Sequence, residues 1–188
     1  MTCAMNRTGW LIFSVLLSCT PSIPAKTVDI CFSPRGYCDQ VLASWIHISR
    51  KNLDAAIYGL TDEDIAAALI DAHNRGVRVR VVHDRTQAGG RRDVSDLLIQ
   101  AGIPVHIQRG SEGGILHDKF LIIDSTYVIT GSFNWTNNAT AKNDENFVIL
   151  DDVGPTFQKE FDRLWSLGPH EPSAKSRKSS RKRTDRPR

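Results

Sequence analysis

LHDKFLIIDSTYVITGSFNWTNNATAKNDEN, Leu116 to Asn146, holds two apolar runs, HDKFLIID and YVITGSFN, separated by the polar pair Ser125-Thr126. The pattern reads as strand, tight turn, strand. A two-residue or four-residue loop pairs Asp124 with Tyr127, and counting outward sets Lys119 opposite Ser132 and His117 opposite Asn134. Side chains alternate faces along a strand, so His117 shares a face with Lys119, and Ser132 with Asn134. Directly opposed Cβ atoms lie roughly 4.5–5.5 Å apart, which gathers the four polar groups into one cluster. Asp118 and Asp124 fall on the other face. A one-residue slip of register would scatter the set. An imidazole, an ammonium, a hydroxyl and an amide on one face suit a phosphate group.

The same residues spell HxK(x)4D followed by GSxN, which resembles the signature of the phospholipase D superfamily. The resemblance runs from about Asp29 to Trp165 and is nearest to the small single-motif members, bacterial endonucleases and their mitochondrial relatives. It implies phosphodiester hydrolysis with His117 as the nucleophile, forming a covalent phosphohistidine that divides one displacement into two. Lys119, Asn134 and Ser132 would then stabilise the non-bridging phosphate oxygens where negative charge develops, and Gly131 would let the backbone approach closely. Glu145 matches the family's downstream carboxylate, which orients the catalytic imidazole as in hydrolytic triads. Asp124 is read as structural, fixing the turn through its side chain. Because related enzymes build one site from two such motifs, a single-motif chain is expected to act as a homodimer. No cofactor and no metal are implied, and no HxH or HExxH spacing suggests one.

Outward from the motif, strand and helix patterns alternate. Strands are expected over Thr27–Phe32, Asn52–Tyr58, Val77–His83, Pro104–Ile107 and Asn146–Leu150, and helices over Cys38–Ser49, Asp62–Asn74, Arg91–Ala101 and Pro155–Trp165. Thr61 is the expected N-cap of the second helix. The last helix offers Phe157, Phe161, Leu164 and Trp165 to the sheet. Such alternation predicts an α/β fold, an α/β/α sandwich on a mixed sheet, and the resemblance implies that this is the phospholipase D/nuclease-like fold. Two glycine-rich segments, Gly89-Gly90-Arg91-Arg92 and Arg109 to Gly114, are expected as loops. The first offers amides and guanidiniums to phosphate and the second a rim to the cleft, or each is a plain connector.

The 188 residues, 40% hydrophobic, suffice for one sizeable core, so one catalytic domain is expected over residues 26–168. The net charge of +3 conceals an asymmetry: residues 171–188 carry eight Lys/Arg against two acids, leaving residues 1–170 at −3. The segment 169–188 therefore reads as a basic disordered tail able to bind polyanions, either nucleic acid or an anionic membrane, or simply solvated. At the other end, Arg7, the apolar run Trp10–Leu17 and the small residues up to Ala25 have the layout of an export signal over residues 1–25. Lipid attachment at Cys19 and an uncleaved anchor are the alternatives, so the expected location is periplasmic, secreted or membrane-anchored. Export permits a disulfide between Cys31 and Cys38, which flank a short turn; two buried thiols are the other possibility.

Two enzymatic readings share this chemistry: a metal-independent, non-specific endonuclease on DNA or RNA, and a phospholipase D cleaving headgroups. Trp135, beside the motif, could serve a base or an acyl chain. A catalytically silent binding module is the third reading, disfavoured by the intact motif.

Overall fold

The strands expected from the β-branched runs assemble into one seven-stranded mixed sheet of order β1-β7-β6-β5-β2-β3-β4. They are β1 (Lys26–Ser33), β2 (Asn52–Ile57), β3 (Arg78–Asp84), β4 (Val105–Gln108), β5 (Lys119–Ile123), β6 (Tyr127–Gly131) and β7 (Glu145–Asp151). The helices are α1 (Cys38–Ile48), α2 (Glu63–Asn74), α3 (Ser95–Gln100), α4 (Asn137–Ala141) and α5 (Gly154–Ser166). The computed structural model describes residues 26–169; the predicted export signal with Cys19, and the basic tail from residue 170, lie outside the described residues. Only β2–β3 and β3–β4 are parallel, joined through helical crossovers, while the strands from β1 to β2 in the sheet order pair antiparallel.

The sandwich follows from which strands bury both faces. Leu53, Ala55, Ile57, Leu121 and Ile123 face Leu42, Ile46, Ile65, Leu69 and Leu98 of α1, α2 and α3. Ala56, Val82, Phe120, Ile122 and Val128 face α5 through Phe157, Phe161, Leu164 and Trp165, the residues expected there. Helix α5 packs on β2, β5 and β6. On its side of the outer strands, Ile30 and Phe32 of β1 are left 50% and 64% exposed. Under α5 the fully buried Asp54 pairs with Arg80 (2.8 Å) and Arg78 (3.2 Å) and accepts from Gln158 (3.0 Å). A buried carboxylate is tolerable there because its oxygens are satisfied by charged and amide donors.

Three local expectations need correction. The hairpin turns through three residues, since Ile123 pairs with Tyr127, so Asp124 is not opposite Tyr127 and the register slips by one. Tertiary contacts decide this. The Asp124 amide donates to Asn52 O, and its carboxylate accepts from the amides of Arg50, Lys51 and Asn52, so Asp124 belongs to the start of β2 rather than to the turn's own closure. Asp124 and Ser125 both adopt left-handed φ, 52° and 60°, a conformation that Asp tolerates better than most residues. Second, Asp62 and not Thr61 caps α2, accepting from the amides of Asp64 and Ile65, while the N–H groups of Thr61 and Asp62 both donate to Trp135 O (2.8 and 3.1 Å). Third, α3 begins at Ser95 instead of Arg91: Asp93 accepts from the amides of Gly89 and Ser95 and from the Ser95 hydroxyl, which holds residues 89–93 in turns. The segment Arg109–Gly114 contains a short 3-10 turn, Ser111–Gly113, pinned by Arg163 to the Ser111 hydroxyl (3.1 Å). Cys31 and Cys38 are joined by a disulfide that ties the end of β1 to the start of α1.

Candidate active site

The motif residues collect where β2 ends and β5 begins. Lys119 opens β5 opposite Ile57, and His117 lies just ahead of it. The main chain on both sides of His117 is tethered: Leu116 N–H donates to the buried Asp84 carboxylate (2.7 Å), and Asp118 O accepts from Tyr58 N–H (3.0 Å). Asp84 also accepts from Thr86 N–H (2.7 Å) and the Thr86 hydroxyl, so one carboxylate joins the loop after β3 to the approach to His117. The His117 imidazole is left exposed, edge-on to the Tyr58 ring with centroids 4.7 Å apart at 60°.

Lys119 is only 8% exposed. Its ammonium donates to His117 O (2.8 Å) and stands 5.2 Å from the centroid of Tyr58. Burial pushes its pKa below the ordinary 10.5, and the carboxylates of Asp118 and Glu145 oppose that shift. Asp118 itself is raised by burial and by Glu160 of α5, against the pull of Lys119, Arg163 and His117.

The observed register carries Lys119 opposite Gly131, not Ser132, so the four groups do not meet as cross-strand neighbours. The GSxN segment is instead placed by anchors on two other strands. Ser132 N–H (2.9 Å) and Phe133 N–H (3.2 Å) both donate to Asn146 O, and Ser132 Oγ accepts from Asn146 N–H (3.1 Å), which ties the exposed Ser132 to β7. Asn134 Oδ1 accepts from Gly59 N–H (3.1 Å), and Trp135 N–H donates to Gly59 O (3.0 Å), which ties the following residues to the end of β2 beside Tyr58. Gly131 is required by the approach of β7: a Cβ there would collide with Asn146 O and stand 2.6 Å from Phe147 Cα. Glu145 begins β7, paired with Ser33 and accepting from Asn143 Nδ2 (3.0 Å). Among the described residues no hydrogen bond joins Glu145 to His117; its influence inside the protomer is on the charge of Lys119.

Trp135 is unavailable to a ligand, being 3% exposed in the core and bridged to Leu60. The aromatic at the site is Tyr58. Sequence reading treated it as the end of a strand, and only its place one residue past β2 signals otherwise. His83 is likewise no surface ligand. It is fully buried, 3.7 Å from Asp93, and burial pushes its pKa down in spite of Asp93 and Asp84.

A family model described as the cardiolipin synthase, phospholipase D-like domain matches residues 42–165, which take in every one of these site residues. The chain belongs to the phospholipase D superfamily. Among its relatives, it is 38% identical over 119 residues to a mitochondrial cardiolipin hydrolase of Chlamydomonas reinhardtii, covering 62% of this chain and 52% of that one. It is 39% identical over 126 residues to a phospholipase D of Rickettsia bellii, covering 67% and 62%. The chain thus spans about half to two-thirds of the length of these curated relatives. Of solved structures, it is similar to the phospholipase D family member Nuc from Salmonella typhimurium, with TM-score 0.71 and 30% identity over 80% of this chain and 100% of that one. NucT from Helicobacter pylori gives TM-score 0.70 and 25% identity over 76% and 97%. The phospholipase D fold is therefore this chain's fold.

Proposed function

We propose that this chain is a metal-independent phosphodiesterase acting on polynucleotides, working as a homodimer. The observation that carries the chemistry is the exposed His117 imidazole held edge-on to Tyr58 with the buried Lys119 ammonium beside it. In the reaction the neutral imidazole attacks phosphorus, an N–P bond forms and the ester P–O bond breaks. The leaving oxygen takes a proton from the partner subunit's His117, which then removes a proton from the water that hydrolyses the N–P bond. Lys119, Ser132 and Asn134 stabilise the non-bridging oxygens, and Glu145 supplies the carboxylate that orients an imidazole.

Two features support the dimer. The protomer holds a single HxK motif, and the sheet face that α5 leaves open exposes Ile30 and Phe32 next to β7, the strand that begins with Glu145. Mixing His117→Ala chains with wild-type chains should give inactive heterodimers and a more than proportional loss of activity; a fully active monomer in sedimentation at assay concentration would exclude the arrangement.

The polynucleotide reading rests on the match to Nuc and NucT, which covers 100% and 97% of those chains and 80% and 76% of this one, and on the eight cations of residues 171–188. A second reading, phospholipid headgroup hydrolysis, is favoured by the names of the relatives, a cardiolipin hydrolase and phospholipases D. Plasmid DNA, RNA, and cardiolipin or phosphatidylcholine vesicles, each incubated with the enzyme in EDTA, separate the two. Cleavage of nucleic acid alone supports the proposal, vesicle hydrolysis alone transfers it to lipid, and a requirement for added divalent cation rejects metal independence. Deleting residues 171–188 should raise the apparent KM on DNA and flatten its salt dependence while kcat changes little.

A further inference from the structure

We infer that Tyr58 is a positioning residue for the His117–Lys119 pair, and that Gln87, on the loop after β3, sets Tyr58 in place. The inference rests on the phosphohistidine reading above. Tyr58 serves the motif three ways at once. Its main-chain N–H extends the β2–β5 ladder by one bond to Asp118, the residue between His and Lys. Its ring is the edge-on wall for the imidazole at 4.7 Å, and the same ring carries the Lys119 ammonium at 5.2 Å. An electron-rich ring face attracts a cation, most strongly where water is excluded, as around Lys119. The two groups that must meet one phosphate are therefore indexed to a single rigid side chain.

Tyr58 is itself fixed from the far side. Gln87 Nε2 donates to the Tyr58 hydroxyl (2.8 Å), and Gln87 N–H donates to Asp84 O (3.2 Å). The Asp84 carboxylate meanwhile holds Leu116 N–H. Loop, tyrosine and histidine thus form one closed circuit of contacts around the nucleophile. The ring stands against the imidazole at 4.7 Å and the ammonium at 5.2 Å, so its loss should misalign the pair rather than abolish binding. A misplacement of about 1 Å costs on the order of 100-fold in rate.

The test measures kcat and KM of full-length Tyr58→Leu, Tyr58→Phe and Gln87→Ala on bis(p-nitrophenyl) phosphate, alongside wild type and His117→Ala, with thermal unfolding recorded for each. Tyr58→Leu should lose roughly 10- to 100-fold in kcat with KM within about threefold, and Tyr58→Phe, which keeps the ring, should recover most of it. Gln87→Ala, a loop substitution that leaves the core intact, should lose kcat by a few-fold without a matching fall in melting temperature. Tyr58→Leu with kcat within twofold of wild type would overturn the inference, as would a loss confined to KM. So would Tyr58→Phe no better than Tyr58→Leu, which would make the hydroxyl and not the ring the working part. If Tyr58→Leu fails to fold, Tyr58→Phe and Gln87→Ala decide: Gln87→Ala with wild-type kcat sinks the circuit. An inactive wild type, or an active His117→Ala, would instead remove the phosphohistidine reading on which the inference stands.

Discussion

Replacing Asp84 by alanine should perturb stability and catalysis through the loss of one carboxylate. The Asp84 carboxylate, fully buried, accepts from Leu116 N–H at 2.7 Å and from Thr86 N–H at 2.7 Å. Leu116 is 2% exposed, so its orphaned amide has no route to water and should cost about 1–3 kcal/mol. Thr86 is exposed and can turn its amide to solvent, which limits its share to about 0.5–1.5 kcal/mol. A total of about 3 kcal/mol corresponds, in a domain of this size, to a fall in Tm of roughly 6–12 °C. Asp84→Asn keeps one carbonyl acceptor and should fall about half as far. Because Leu116 immediately precedes His117, the proposed nucleophile, kcat on a phosphodiester at 25 °C, where the variant remains folded, should drop at least about tenfold as His117 loses a tether. Calorimetry and steady-state kinetics on the same preparations read the two effects. A Tm change under about 2 °C would show that neither amide depended on this carboxylate. A large Tm change with kcat within twofold of wild type would refute the claim that the tether positions His117.

Gly131→Ala places a methyl against Asn146 O and Phe147 Cα, so it should part β6 from β7, with loss of soluble folded protein or a melting temperature many degrees lower. Replacing Cys31 and Cys38 together by alanine removes a bridge across seven residues of sequence separation and should cost about 2–3 kcal/mol in urea denaturation, with the reduced wild type behaving alike. Lys119 has a folded pKa below 10.5, so the stability it contributes is present only above pH 10.5 and is lost as pH falls through the lower folded value. At pH 7 its charge is thus a cost to stability, and on the proposed mechanism Lys119→Met should be more resistant to urea than wild type yet inactive; lower resistance would contradict the burial argument. The same shift should bring the alkaline decline of activity below pH 10.5, and Asp118→Asn, which removes the larger opposing carboxylate, should move that decline further down in a pH profile.

The sequence by itself determined the α/β/α sandwich, because β-branched runs alternating with amphipathic helices leave few other ways to bury both faces of β2 and β5. It also determined the family, since His117, Lys119, Asp124, Gly131, Ser132 and Asn134 are legible as a linear motif. The packing residues of α5 were readable from helical spacing alone. Tertiary structure alone decided how the motif converges. The hairpin register depended on Asp124 capping the amides of residues 50–52, distant in sequence, and a local turn rule has no access to that contact. The cap of α2 moved by one residue to Asp62, and α3 began later because Asp93 holds residues 89–95 in turns, both decided by local hydrogen bonds that helical spacing does not show. Tyr58 escaped the motif, and Trp135 was misplaced into the site, because a linear string records neither which strand end lies beside another nor which of two aromatics the sheet buries. Side-chain chemistry along the chain names the candidates for catalysis; contacts between residues far apart in sequence settle which of them share a site.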